Sequence, residues 1–362
     1  MGSTVESAPP TGLKHDILLV VVPFPADEKW MAKLREQHPG LEVRWVQQPP
    51  ALEIDPPLPK ETYDGVTLLC TLASHPYEML QKVRFVQLLS AGADRWVGSE
   101  LYKKPDVTFC TTNGAHAPQI AEWVIGTWLM MNHHFIDYAE EQKKAKATRL
   151  MHLNVYDSPG LRMGVLGYGS IGRQCARLAQ ALGMEVYAYT RTEKATPESR
   201  KDDSYCVPGT GDPDGLIPAK WFHGASREAV NEFLAQDLDI VVLSLPLTES
   251  TKKILGREQF DILSKKKTFV SNIARGEHID TDALLDALRE GKIRGAALDV
   301  TDPEPLPDNH PLFTAPNIFI TFHMAWQSPQ LFPRVQDIAE KNLMSLSKGE
   351  PLMNAVNREH HY

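Results

Sequence analysis

GVLGYGSIGRQCARLAQALGMEVYAYTRT, Gly164 to Thr192, reads as strand, glycine turn, amphipathic helix and second strand. Gly167, Gly169 and Gly172 have the GxGxxG spacing of a dinucleotide-binding turn. The first glycine permits the tight turn, the second admits the pyrophosphate to the backbone, and the third lets helix pack on strand. An anionic phosphate then rests on the free N–H groups and positive dipole end of a helix beginning near Ser170. The motif alone is weak, so its context decides. Val165 and Leu166 precede it, and Cys175, Ala176, Leu178, Ala179 and Leu182 recur at helical spacing. Gly183 ends the helix, and Glu185 to Tyr189 alternates like a strand. A dinucleotide site is expected; an ordinary βαβ crossover is the alternative.

The second strand ends in Thr190, Arg191 and Thr192, with Lys194 just beyond. A site for NAD usually places Asp or Glu here for the ribose hydroxyl. A carboxylate beside the 2′-phosphate of NADP would repel it by roughly 4 kcal/mol at short range, whereas a guanidinium donates in a fork suited to phosphate. These residues favour NADP. NAD stays open if Arg191 stacks on adenine or faces solvent and Glu193 turns inward.

A chain of 362 residues can bury two cores, and 42% hydrophobic with 23% charged residues is ordinary for a globular protein. The net charge of −8 argues against a nucleic-acid surface. Cys70, Cys110, Cys175 and Cys206 show neither CxxC pairing nor metal spacing, so reduced thiols and no metal site are expected. No apolar run reaches membrane-spanning length, and no signal-peptide pattern opens the chain. Residues 1–14 read as a disordered lead-in, Glu6 occupies the position where myristoylation needs Ser or Thr, and the cytosol is the expected compartment.

Apolar runs at Asp16–Val22, Leu41–Val46, Gly65–Leu72, Phe85–Leu89 and Val107–Thr111 alternate with helical or loop stretches, a parallel α/β pattern that precedes the glycine turn. Pro49, Pro50, Pro56, Pro57 and Pro59 mark a loop. One long helix is expected from about Gln119 to Ala147. Strands follow at Ile240–Leu245, Thr268–Asn272, Gly295–Val300 and Ile318–Thr321, then a helix from about Pro329 to Ser347. The Gly-, Pro- and Asp-rich stretch 196–226 reads as a solvated insertion; it lacks the alternating acidic positions of a calcium loop.

Three later segments carry chemistry. SNIARGEHID (Ser271–Asp280) projects Arg275 from a strand end, where open α/β sheets bind ligands. ALDVTDPEPLPDNHPL (Ala297–Leu312) offers Asp299 and Glu304, and TFHMAWQSPQ (Thr321–Gln330) offers His323. A guanidinium pairs with carboxylates and polarises carbonyl oxygens. Histidine titrates near working pH, and a carboxylate behind it favours imidazolium and fixes its tautomer. His116, His133, His134, His278 and His310 are assigned to structure or solvent. Leu89, Trp96 and Trp326 are candidate pocket walls or packing residues.

With these segments in this order, the chain from about Val83 to Val356 resembles the D-isomer-specific 2-hydroxyacid dehydrogenases, closest to glyoxylate and hydroxypyruvate reductases and their fungal relatives. LLSAGADRW, the AEW of the long helix, LPLTEST at Leu245–Thr251 and GEPLMNAV add to the match. The resemblance implies a Rossmann-type dinucleotide-binding domain (118–327, with the insertion 196–226) within a flavodoxin-like substrate-binding domain (15–117 and 328–362), the cleft between them closing on substrate. It implies Arg275, Glu304 and His323 as the catalytic set, with His323 the acid/base. Ala91 and Gly92 would hold the substrate carboxylate, and Trp326 would line the substrate site. Asp299 would bind the nicotinamide carboxamide, and Ser170, Ile171, Leu245, Pro246, Thr251 and Ala274 would join Gly167, Gly169, Gly172, Arg191 and Thr192 around the cofactor. The expected activity is NADPH-dependent reduction of a small 2-oxo acid to the (R)-2-hydroxy acid by a homodimer formed through the nucleotide domain. Thr190 in place of an acid, Phe322 where Pro is common, and the length of 196–226 depart from the family pattern. A dinucleotide-sensing, corepressor-like binding protein is the rival from another class. A formate dehydrogenase is disfavoured, since that branch carries Gln where Glu304 stands.

Overall fold

The computed structural model describes residues 12–49, 58–145, 147, 152 and 154–361. Most of the expected lead-in, and prolines 50, 56 and 57, lie outside them; Leu13, inside, is buried. The chain divides into two compact units, one ending at Ala115 and resuming at Pro329, the other spanning His116–Ser328.

The first unit holds strands β1 (Ile17–Val22), β2 (Glu42–Gln47), β3 (Leu68–Thr71), β4 (Phe85–Leu88) and β5 (Thr108–Cys110). They pair in parallel in the order β2-β1-β3-β4-β5, the flavodoxin-like arrangement. A parallel sheet must be covered on both faces, which explains why β3 and β4 are buried along their whole length. The helix Leu331–Lys348 packs Leu331, Val335, Ile338 and Leu343 into this unit from the end of the chain.

The second unit holds β6 (Arg162–Leu166), β7 (Glu185–Thr190), β8 (Lys220–His223), β9 (Ile240–Leu243), β10 (Phe269–Asn272), β11 (Gly295–Leu298) and β12 (Ile318–Ile320). All pair in parallel, in the order β12-β11-β10-β9-β6-β7-β8, a Rossmann sheet extended by one strand.

Two expectations are corrected. Residues 196–226 are not simply a solvated insertion: Lys220–His223 forms the edge strand β8, and Asp212 is buried. The edge position leaves β8 exposed at both ends, so its apolar signal is only two residues long. The long helix is two, Ala117–Asn132 and Phe135–Lys143. Buried Asn132 turns its amide to the Tyr156 carbonyl and to Arg294, and His134 adopts a left-handed backbone (φ 56°), which no continuous helix permits.

Cys70, Cys110 and Cys175 are buried, which pushes each thiol up to about 12 and leaves it inert; Cys206 is exposed. No helix among the described residues is long and apolar enough to cross a membrane.

His75, after β3, is buried between two hydroxyls. Thr71 Oγ1 donates to the Ala73 carbonyl (3.1 Å), so His75 Nε2–H donates to Thr71 Oγ1 (2.9 Å) and Tyr63 Oη donates to Nδ1 (2.9 Å). The ring is neutral, and burial pushes its pKa down to about 4 from 6.5. As pH falls below 6.5 the unfolded chain takes up a proton that the folded chain refuses until about pH 4. Stability is therefore lost across that window, by about 3 kcal/mol in total from this group. His75→Gln is expected to flatten the dependence of the urea midpoint between pH 6.5 and 4; equal slopes for variant and wild type would contradict the assignment.

Candidate active site

Because the seven strands of the second unit are parallel, their carboxyl ends lie on one edge, where such sheets bind ligands. Across that edge, β12 leads to His323, β11 to Asp299 and Glu304, β10 to Arg275, β9 to Leu245 and Pro246, β6 to the glycine turn and β7 to Arg191. One sheet edge gathers the chemistry.

The three glycines are used differently. Gly167 has φ 104°, and a Cβ there would stand 2.8 Å from the Leu245 nitrogen and the Ser244 carbonyl. At Gly172 a Cβ would stand 2.4 Å from the Gly167 oxygen and 2.7 Å from Val165 Cγ1, so helix and strand meet there. Gly169, capping the helix Ser170–Ala181, faces open space within 4 Å. Ser170 and Ile171 continue the turn, whose N–H groups are the natural seat for a diphosphate.

Residues 200–217 brace this turn. Tyr168 Oη donates to Asp212 Oδ2 (2.8 Å), and the same carboxylate accepts from the Leu216 and Ile217 amides. Buried Arg173 pairs with Asp202 (3.2 Å) and donates to the Asp212 and Arg200 carbonyls. Burial beside Asp212 raises the Tyr168 phenol far above its usual range, so it remains a donor.

At the end of β7, Thr190 Oγ1 donates to the Thr192 carbonyl (2.7 Å) and Arg191 is exposed. The carboxylate of Glu193 lies 3.8 Å from His223 Nε2, at the end of neighbouring β8.

Arg275 is held through its backbone. Fully buried Asn272 accepts from the Ala274 amide (3.1 Å) and donates to the Arg275 carbonyl (2.9 Å), while Arg275 Nη1 donates to the Ala274 carbonyl (2.7 Å). His278 Nδ1 lies 3.2 Å from the Arg275 amide nitrogen and 3.0 Å from the Arg275 carbonyl oxygen, and its Nε2 lies 3.3 Å from the Pro246 carbonyl oxygen. His278 is wholly buried and ties the arginine loop to the loop after β9. Thr251, expected at the cofactor, donates its hydroxyl to the Pro246 carbonyl (2.9 Å) within that loop. A Cβ on Gly276 would stand 2.0 Å from the Thr301 carbonyl, so the arginine loop rests directly on the segment leading to Glu304.

His323 Nδ1 lies 2.7 Å from Glu304 Oε1, each side chain about one-third exposed. With Nδ1–H donating to the carboxylate, Nε2 is the nitrogen left for chemistry. His323 has φ 57°, an uncommon conformation for a residue with a side chain. Its carbonyl accepts from Trp326 Nε1 (2.8 Å), and Asp299 engages the residues around it.

Ala91 and Gly92 belong to the other unit, in the half-buried loop after β4, where Ser90 Oγ donates to the Gly92 carbonyl (2.6 Å). Leu89 and Trp96 are buried there, Trp96 against Phe109 at 5.5 Å, so Trp96 is a core side chain and not a pocket wall. Asn272, His278 and Thr321 were not singled out for function from sequence. The available signal for Asn272 and Thr321 was a polar residue closing an apolar strand. His134, Asp137 and His152 approach one another, but the imidazoles stack 3.7 Å apart at 5°, so their lone pairs do not converge on one ion.

The model of the NAD-binding domain of D-isomer-specific 2-hydroxyacid dehydrogenases matches residues 125–208 and 217–325, over half the chain. The protein belongs to this family. Gly209–Leu216, within the brace beside Tyr168, falls outside the match. A glyoxylate reductase of Pyrococcus horikoshii is 30% identical over 314 residues, covering 83% of this chain and 84% of the relative. A hydroxypyruvate reductase of Blautia hydrogenotrophica is 29% identical over 287 residues, covering 78% and 81%. The crystal structure of a D-isomer-specific 2-hydroxyacid dehydrogenase of Xanthobacter autotrophicus Py2, in complex with NADPH and MES, aligns with a TM-score of 0.73 at 26% identity, covering 96% of this chain and 100% of that one. The chain is thus an oxidoreductase with a nicotinamide dinucleotide site, and the open face of Gly169 between two closed glycines fits that cofactor.

His278→Leu removes the ring nitrogens that bridge the Arg275 backbone to the Pro246 carbonyl, and about 2 kcal/mol of stability should be lost in urea unfolding. His278→Gln, which can still accept and donate, should lose less; equal losses would contradict the bridging assignment.

Proposed function

We propose that this dehydrogenase reduces small 2-oxo acids of the glyoxylate and hydroxypyruvate class to (R)-2-hydroxy acids, preferring NADPH. The observation that carries the proposal is the 2.7 Å His323–Glu304 pair on the same sheet edge as Arg275 and the glycine turn. When bound, the reduced nicotinamide supplies the hydride. Arg275 offers a planar cation to the substrate carboxylate and keto oxygen. His323, protonated at Nε2 and held at Nδ1 by Glu304, gives its proton to the oxygen that becomes the hydroxyl, and in the reverse direction it takes that proton back.

NADPH preference rests on Arg191 and on the absence of an acidic residue ending β7, since Glu193 lies beside His223 instead. Exposed Phe135, Tyr138, Val155 and Tyr156, all in the second unit, support a homodimer formed through it. Sedimentation equilibrium at the monomer mass would overturn the dimer.

Purified protein mixed with NADPH and a panel of 2-oxo acids should lose absorbance at the reduced-nicotinamide band with glyoxylate or hydroxypyruvate. Cofactor binding without oxidation by any oxo acid would instead favour a sensing role. Arg275→Ala and His323→Ala should each lower kcat/KM by about 100-fold or more while the fold survives. Arg191→Asp should shift the NADPH-to-NADH preference toward NADH by about tenfold or more; an unchanged ratio would remove the NADP assignment and leave the rest standing.

A further inference from the structure

We infer that Asp299 is a positioning residue for the acid/base, fixing the His323 loop through its carboxylate, beyond any contact with the cofactor. Asp299 directly follows β11 and is 4% exposed. Its Oδ1 accepts from Thr321 Oγ1 (2.5 Å), the Met324 amide (2.8 Å) and the Ala325 amide (3.1 Å), and its Oδ2 lies 3.1 Å from the same Ala325 amide. The Asp299 carbonyl accepts from the His323 amide at 2.6 Å. Three consecutive backbone N–H groups, from 323 to 325, thus converge on one residue.

Successive amides that include a left-handed residue form a concave anion seat. Here the left-handed residue is His323 itself; its amide meets the Asp299 carbonyl, and the Met324 and Ala325 amides meet the Asp299 carboxylate. A residue with a Cβ keeps such a backbone only where its surroundings over-determine it. Asp299 meets the amides on one side, and Trp326 Nε1 meets the His323 carbonyl at 2.8 Å. With the backbone so held, the ring is aimed with Nδ1 on Glu304. Oδ1 already serves three donors, so the family's expected carboxamide contact is confined to Oδ2.

This role rests on His323 acting as the acid/base. It separates from cofactor binding by which parameter moves. Asp299→Ala, Asp299→Asn and Thr321→Val would be compared with wild type by fluorescence titration of NADPH and by kcat at saturating substrate. Asp299→Ala should lower kcat by about 100-fold, the scale of a misplaced catalytic group, with the Kd for NADPH held within about threefold. Asp299→Asn keeps an acceptor at Oδ1 and should recover much of kcat. Thr321→Val deletes one donor and should lower kcat severalfold without moving the Kd.

An Asp299→Ala protein whose Kd for NADPH rises by about tenfold while kcat is retained would overturn the inference in favour of cofactor binding. Wild-type kcat in both Asp299→Ala and Thr321→Val would also overturn it. Should Asp299→Ala fail to fold, wild-type kcat in Thr321→Val alone would do so. If the wild-type protein oxidises NADPH with no oxo acid, the proposed function fails on its own. Amide hydrogen exchange at Met324 and Ala325 then decides the role of Asp299: acceleration in Asp299→Ala that Asp299→Asn largely reverses supports it, and unchanged protection in Asp299→Ala overturns it.

Discussion

Parallel pairing in the seven-stranded sheet is the constraint on which the rest depends. It sends every strand's carboxyl end to the same edge, so residues far apart in sequence become neighbours in strand order. Strands lie about 4.8 Å apart, which puts the glycine turn about 10 Å from the arginine loop and about 19 Å from the histidine loop along the sheet. The anion-seating turn and the charged, proton-bearing groups thus occupy different stretches of one line. Parallel strands also demand cover on both faces, and the fully buried Ile240–Leu243, Phe269–Asn272 and Gly295–Leu298 satisfy it.

On this edge the loops are set by buried polar side chains serving backbone. Asn272 and His278 hold the arginine loop, Asp299 the histidine loop, and Asp212 the residues beside the glycine turn. Each such group costs free energy to bury and recovers it only when its partners are in place, so one arrangement is selected over its neighbours.

The central strands were legible because buried parallel strands are written as short apolar runs. The glycine turn was legible because a strand, an amphipathic helix and a second strand frame its spacing, and the placement of Arg275 and His323 at strand ends because each follows such a run. β8 escaped notice because an edge strand with exposed ends, Lys220 and His223, carries only Trp221 and Phe222 as apolar signal. The helix break escaped notice because Asn132 and His134 act through tertiary partners, Arg294 and Asn154, that local pattern does not reveal. Trp96 was ambiguous for a related reason: an aromatic side chain lines a cavity or fills a core with the same sequence signature. The arrangement at Asp299 was hidden likewise, since a carboxylate at a strand end reads identically whether it faces a ligand or its own chain.

Only a hydrogen atom separates Gly276 from the backbone of Thr301 and Asp302. The loop carrying the guanidinium and the loop leading to the carboxylate therefore have no room to slide independently. Thr281, whose hydroxyl donates to the Asp302 carbonyl at 2.9 Å, pins the same pair a few residues on. Movement of either loop toward the other is opposed by this direct backbone contact. The closeness of the Arg275 loop to the segment before Glu304 thus depends on an absent side chain.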